Sequence, residues 1–297
     1  MVSRPIKHLL TGIVDYAGLF PPAKLDMEPA VAEFGRQRAS RDAWILGRFV
    51  VPAARLEELE RAYQKLGDGE AESGPWRLSV LVGGDAAAAR AHLDSFNARN
   101  AGWAVADAIE TKPSSTSEID RVAAAFEGFE IFFELPHDRD PGDLMAAVAR
   151  VGGRAKIRTG GVSPDAFPSI GETASFLVAA HRAGIPLKAT AGLHHPLPGE
   201  YRLTYEPESP TGTMHGFLNL FIAAAFVRFG GLGETELKEL LGERNAGALE
   251  FSSAGVSWRG HRLSAEALAE ARREMAISYG SCSFQEPVDD LRALHLI

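Results

Sequence analysis

An α/β fold is expected, a single (β/α)8 TIM-type barrel over residues 1–297. Apolar strand-like segments alternate with helical ones along most of the chain, the order that builds a parallel sheet through right-handed crossovers. Charged residues recur at the C-terminal ends of those strands, where a barrel carries its active site. No glycine-rich nucleotide loop of the GxGxxG or GxxxxGKS/T kind is present, which weighs against an open doubly wound sheet.

The elements follow in order. Residues 1–26 read as a short helix and then an irregular stretch, because Pro21-Pro22 cannot continue a helix. There Asp15 is expected to cap a turn and Tyr16 to pack its ring. A helix over Glu28–Arg38 leads to a strand ending at Pro52. A charged helix over Ala54–Leu66 and a Gly/Glu-rich loop lead to the strand WRLSVLVGG. The next helices cover Ala86–Asn97, Ser117–Phe126, Pro141–Val151 and Ile170–Ala183. They lead in turn to WAVADAIETK, FEIFFELP, RAKIRTGG and IPLKATAGLHHP. GALEFS (Gly247–Ser252) and AISYGSCSF (Ala276–Phe284) complete a set of eight strands. After the sixth strand the rhythm breaks into a long polar insertion (196–214), of the kind that often carries function. It enters an apolar helix in which Met214, Phe217, Leu218, Phe221 and Ile222 read as core or subunit interface. Apolar helix faces of this kind suggest a homo-oligomer.

Composition narrows the class. A net charge of −8 opposes nucleic-acid binding, whose footprint is a basic excess. The longest apolar run, Gly216–Val227, is too short to span a bilayer. The N-terminal residues lack the apolar core of a signal peptide. A cytoplasmic protein with a small-molecule partner is expected, with no nucleic acid and no membrane. The single cysteine, Cys282, excludes an intrachain disulfide. Although Glu286 is close to it in sequence, no histidine is, so it reads as a small buried hydrophobe.

Read together, the strand ends carry Arg48, then Glu110 and Lys112, then Glu134, then Lys156 and Arg158, then Lys188 and His194. Residues two apart on a strand share a face, so these groups converge if the strands are parallel. Buried charges cost several kcal/mol unless paired or used. A ring of both signs satisfies that, and supplies amines, carboxylate bases and an arginine fork for an anionic substrate. Gly160-Gly161 offers backbone N–H groups for a carboxylate or phosphate, or a tight strand-to-helix turn.

The segments K-x-x-T-G-G (Lys156 to Gly161) and K-A-T-A-G-L (Lys188 to Leu193) resemble the two lysine strands of the deoxyribose-phosphate aldolase family, a family of (β/α)8 barrels. The resemblance implies that Lys156 forms a Schiff base with a substrate carbonyl and that Lys188 lowers its pKa. It implies no cofactor. It covers about 40 residues, and the chain departs from it at Gly192-Leu193-His194-His195. Only a faint echo of the family's phosphate loop stands at Ser252-Ser253-Ala254-Gly255. In this scheme Glu134 or His194 moves protons, and Arg158 or Arg48 holds the anion, with Glu110, Lys112, Gly160 and Gly161 lining the site.

The histidines support a rival. Three of Glu134, His137, His194, His195 and His215 could hold zinc or manganese with an open position for water, as in a metal-dependent hydrolase or lyase. The bland alternative for His194-His195-Pro196 is a turn in which an imidazole caps backbone groups. A third expectation is a non-catalytic binding protein whose polar barrel is structural.

Overall fold

Segments such as Phe49–Val51 and Ile131–Phe133 combine β-branched and aromatic residues that are buried on both faces. That composition suits strands enclosed between a barrel interior and a coat of helices. The computed structural model describes residues 2–66 and 74–297, so most of the Gly/Glu-rich loop lies outside the described residues. Eight parallel strands close into a barrel: β1 (Val14–Tyr16), β2 (Leu46–Pro52), β3 (Trp76–Leu81), β4 (Ala104–Thr111), β5 (Glu130–Glu134), β6 (Arg154–Arg158), β7 (Leu187–Thr190) and, last in sequence, β13 (Ala276–Ser281). β1 pairs with both β2 and β13, which closes the ring. The (β/α)8 expectation therefore holds.

Two strand assignments do not. The first barrel strand lies in the stretch expected to be irregular. It is only three residues long, and Asp15 at its centre hides it from a reading based on apolar runs. GALEFS is not a barrel strand. Its Glu250–Ser252 segment (β10) pairs antiparallel with β11 (Gly255–Trp258), which pairs with β12 (His261–Ser264) in a small separate sheet. Glu250 and Ser252 are exposed, the signature of a half-buried antiparallel strand rather than a barrel stave. The long insertion consequently follows the seventh barrel strand, not the sixth.

That insertion folds as an antiparallel hairpin, β8 (Gly199–Arg202) with β9 (Thr211–Met214). The apolar helix α8 (Phe217–Phe229) follows it, buried from Phe217 through Phe226. Met214, Phe217, Leu218, Phe221 and Ile222 are thus covered within the chain and leave no apolar face for a second copy there. Helix α7 (Ile170–Arg182) starts in a capping box of Ser169 and Glu172, which satisfies two orphan N–H groups reciprocally. Helix α11 (Gln285–Ala293) follows β13 and buries Pro287, Val288 and Leu291.

At the ends of β6 and β7 two glycines make contact. A Cβ on Gly160 would lie 2.4 Å from the Phe167 ring and 2.9 Å from Gly192 Cα. Gly192 also has φ +71°, a conformation that favours glycine. Gly160 thus serves close packing. Gly160→Ala is expected to destabilise the fold by about 1–3 kcal/mol through overpacking, read as a lower urea midpoint with unchanged slope.

Candidate active site

The barrel interior brings together residues from six strands. β4 contributes Glu110, β6 Lys156, β7 Lys188, β5 Glu134, β1 Asp15 and β3 Ser79. Glu110 lies at the centre. Its Oε1 accepts from Lys188 Nζ at 2.6 Å and from Ser79 Oγ at 2.7 Å, and its Oε2 accepts from Lys156 Nζ at 3.0 Å. Lys156 Nζ also donates to Glu134 Oε2 at 3.0 Å, and Lys188 Nζ to Asp15 Oδ2 at 2.6 Å. Asp15 accepts in addition from Ser278 Oγ and from the Arg48 backbone N–H. Its close approach to β2 depends on Gly47, where a Cβ would come within 2.4 Å of Asp15 Oδ1. Asp15 is therefore part of the ionic network, not the turn cap expected. Tyr16 packs its ring against Phe34 and Phe49 as expected.

The two lysines differ in access. Both line a cleft of about 200 Å³ at the C-terminal end of the barrel, but the Lys188 side chain is 0% exposed and that of Lys156 is 6% exposed. Glu110, Glu134, Arg158, Gly161, Thr190, His194 and Cys282 share that cleft. Burial works against charge on Glu110, but the two ammonium groups outweigh it and hold the carboxyl far below the usual range. Glu134 is likewise lowered against the pull of burial, by Lys156 and by Lys112 at 3.3 Å. For Lys156, burial favours the neutral amine, yet Glu110 and Glu134 prevail and raise its pKa. At rest the amine is an ammonium.

Not every expected residue comes to this cleft. Arg48 is at the opposite, N-terminal end, where its guanidinium pairs with Asp107 at 2.7 Å and with Glu130, the first residue of β5, at 3.1 Å. It sits early in β2, not at the strand's end as the sequence suggested, so it plugs the barrel floor and holds no substrate at the mouth. Lys112 lies just outside, largely exposed. Arg158 is exposed on the cleft rim. Gly161 lines the cleft, while Gly160 packs under Phe167.

The histidines separate. His215 is buried, with Nε2 facing Pro168 O at 2.7 Å, which ties the start of α8 to the residues preceding α7. Burial lowers its pKa. His195 meets Asp290 on α11 at 2.6 Å and stacks on Tyr201 of β8. His137 lines a distinct surface groove beside α7. Among the described residues, no three His, Cys, Asp or Glu side chains stand together as a metal site. His194 alone reaches the cleft. Its Nδ1 faces Glu286 Oε2 at 2.8 Å and its Nε2 faces Cys282 Sγ at 4.0 Å. Burial disfavours its charge, but Cys282 and Glu286 outweigh burial and push its pKa up to about 10. Tyr205, from the loop between β8 and β9, brings its hydroxyl to 3.8 Å from the same sulfur. Sequence reasoning separated Cys282 from any histidine because His194 belongs to a different strand end.

No protein-family model matches the chain, and neither does any curated protein. Among solved structures it is distantly similar to a lysine/ornithine decarboxylase complexed with cadaverine from Vibrio vulnificus (9% identity, TM-score 0.37, 63% of this chain and 48% of that one). A lysine decarboxylase from Selenomonas ruminantium matches at 14% identity and TM-score 0.35, over 93% and 57% of the two chains. A GH10 endoxylanase from a sugarcane soil metagenome matches at 10% and 0.37, over 82% and 86%. The chain thus spans about half the length of the two decarboxylases. At such identities and TM-scores, the likenesses carry no functional argument. Among the described residues no helix is long and apolar enough to cross a membrane.

The network predicts a pH profile of stability. Glu110 and Glu134 have lowered folded-state pKa values, so their contribution is present above the ordinary carboxylate value of 4.5 and is lost as pH falls below it. Lys156 has a raised value, so its contribution persists up to 10.5 and is lost as pH rises beyond. Urea unfolding from acid to alkaline pH should show a plateau with both limbs falling. Glu110→Gln should lower the plateau by about 3–5 kcal/mol, because two buried ammonium groups lose a shared partner, and should flatten the acid limb.

Proposed function

We propose that the chain is an enzyme that condenses Lys156 with a small carbonyl compound bearing an anionic group, a Schiff-base lyase of aldolase type. The observation that carries this reading is the position of Lys156 Nζ. It borders the cleft, 3.0 Å from both Glu110 and Glu134, with the fully buried Lys188 beside it on the same Glu110.

The chemistry follows from the pairing. An amine attacks a carbonyl only when neutral, so the resting ammonium must first lose a proton. Arg158 and Lys112 stand at the rim and are the groups to receive the substrate's anion. As Lys112 turns to that anion it leaves Glu134, which then loses a cation and gains proton affinity. Closing water out of the cleft disfavours the separated charges further. Glu134 takes the Lys156 proton, the amine adds to the carbonyl carbon, and the carbinolamine expels water with a proton returned from Glu134. The resulting iminium accepts the electron pair released when the neighbouring C–C bond breaks, Glu134 taking the proton of the hydroxyl that becomes a carbonyl. Glu134 then protonates the enamine carbon, and water hydrolyses the iminium to free Lys156. Glu110, held ionised by Lys188, keeps the iminium nitrogen's positive charge compensated throughout.

Borohydride reduction with a panel of small keto and aldehyde acids, followed by peptide mass spectrometry, tests this. An adduct is expected on Lys156 and none in Lys156→Met. Absence of an adduct on Lys156 in folded wild-type protein with every member of the panel would sink the reading. The trapping rate should rise with pH, because the neutral fraction of a raised-pKa amine grows towards alkaline pH. Lys188→Met should slow trapping about tenfold or more and shift this profile upward, because Glu110 then bears its whole charge on Lys156.

A further inference from the structure

The mouth of the barrel holds a second cluster that the lysine chemistry leaves idle. Cys282 follows β13 directly, His194 follows β7, and Glu286 lies in the first turn of α11. Three separate elements thus bring a thiol, an imidazole and a carboxylate into line. His194 stands between them with one ring nitrogen towards each neighbour. Its side chain is only 7% exposed, so the ring is fixed in that orientation. Cys282 is buried apart from the part that lines the cleft. A thiol, a base within reach of it and a third group orienting the base are what an activated nucleophile requires. The 4.0 Å separation is of the kind that tightens when substrate enters.

We propose that Cys282, His194 and Glu286 form a second nucleophilic site that transfers the acyl group of a short ester or thioester carrying an anionic end. His194 Nε2 holds the proton of the Cys282–His194 pair while Cys282 Sγ attacks the acyl carbon. A C–S bond forms, the bond to the leaving group breaks, and His194 returns the proton to the departing oxygen or sulfur. Water then attacks the acyl-enzyme, giving its proton to His194, and the thiolate leaves with the acid as product. Glu286 does not touch the substrate; it positions the ring by accepting from Nδ1–H. Arg158 on the same cleft rim holds the anionic end. The titratable groups gathered around the thiol are Tyr16 on β1, His194, Tyr205 on the hairpin loop and Glu286. Across the cleft, Glu110, Glu134, Lys156, Arg158 and Lys188 face the same space.

Two measurements on the full chain test the site. Folded protein is labelled with iodoacetamide across pH and analysed by peptide mass spectrometry. Labelling of Cys282 in the folded wild type is expected, slowed about tenfold in His194→Ala and less in Glu286→Gln. Equal labelling of wild type and His194→Ala, or labelling only after unfolding, overturns the proposal. Circular dichroism confirms that each variant is folded, and His194→Gln, which keeps the bulk of the ring, serves if His194→Ala is not. Then p-nitrophenyl acetate and the p-nitrophenyl monoester of succinate are compared. Turnover through an acyl adduct on Cys282 is expected, and Arg158→Ala should raise KM for the succinate ester only. Hydrolysis that persists in Cys282→Ala overturns the thiol mechanism, and an equal KM change for both esters overturns the anionic end.

Discussion

The Glu110 carboxylate, shared between two lysines, is the interaction on which the centre of this barrel depends. Neither lysine could be buried alone, since an isolated ammonium in a dry interior costs several kcal/mol. One carboxylate cannot compensate two cations either. Asp15 therefore supplies the second acceptor for Lys188, and Glu134 the second for Lys156. The Phe132 ring, its centroid 5.4 Å from Lys188 Nζ, adds its negative face to the same cation. The result is a chain of alternating charges running from the buried Asp15 to the exposed Lys112 at the rim. Each link raises the cost of removing its neighbours. Such a network is weak evidence for stability as such, because well-packed apolar residues would serve as well or better.

The backbone is shaped to permit this chain of charges. β1 is the shortest of the barrel strands, yet it is bonded on both sides, and its central side chain is the carboxylate. Gly47 on β2 leaves the space that Asp15 fills, and the Arg48 N–H donates to it. Below, the Arg48 side chain turns away to Asp107 and Glu130, forming a second ionic layer that closes the floor. The two layers divide the labour. Floor charges neutralise each other out of reach of the mouth, while the upper layer ends in groups that line a cleft.

Much of this was legible in the sequence, and the reasons for what was not are physical. Alternating helices and apolar strands announce a barrel because periodicity reports burial. Lys156, Lys188, Glu110 and Glu134 stood out because charge is rare on strands buried on both faces. β1 escaped notice because three residues with an aspartate at the centre carry no periodic signal. GALEFS misled because composition alone does not tell a barrel stave from a surface strand of a small sheet. Arg48 was misplaced because strand membership does not say which end of the barrel a side chain serves. His194 and Cys282 were invisible as a pair, since only ring closure of β13 against β7 brings their loops together.

The same closure explains why one cleft presents both a lysine and a thiol. β7 ends in the turn that carries His194, and β13 ends in the turn that carries Cys282. The strands are neighbours, so their exits must be neighbours too. The long insertion after β7 then has a structural role beyond its length. It returns a tyrosine over the thiol, and its apolar continuation α8 is consumed in packing against the barrel, with Phe217 stacked on Tyr279 of β13. That packing fixes β13 from outside while Ser278, on the same strand, bonds Asp15 from inside. The thiol site and the lysine network are thereby anchored to the same strand. A change that loosens β13 must disturb both, whereas a change confined to α11 reaches the thiol site through Glu286 and leaves the lysines held by their own carboxylates.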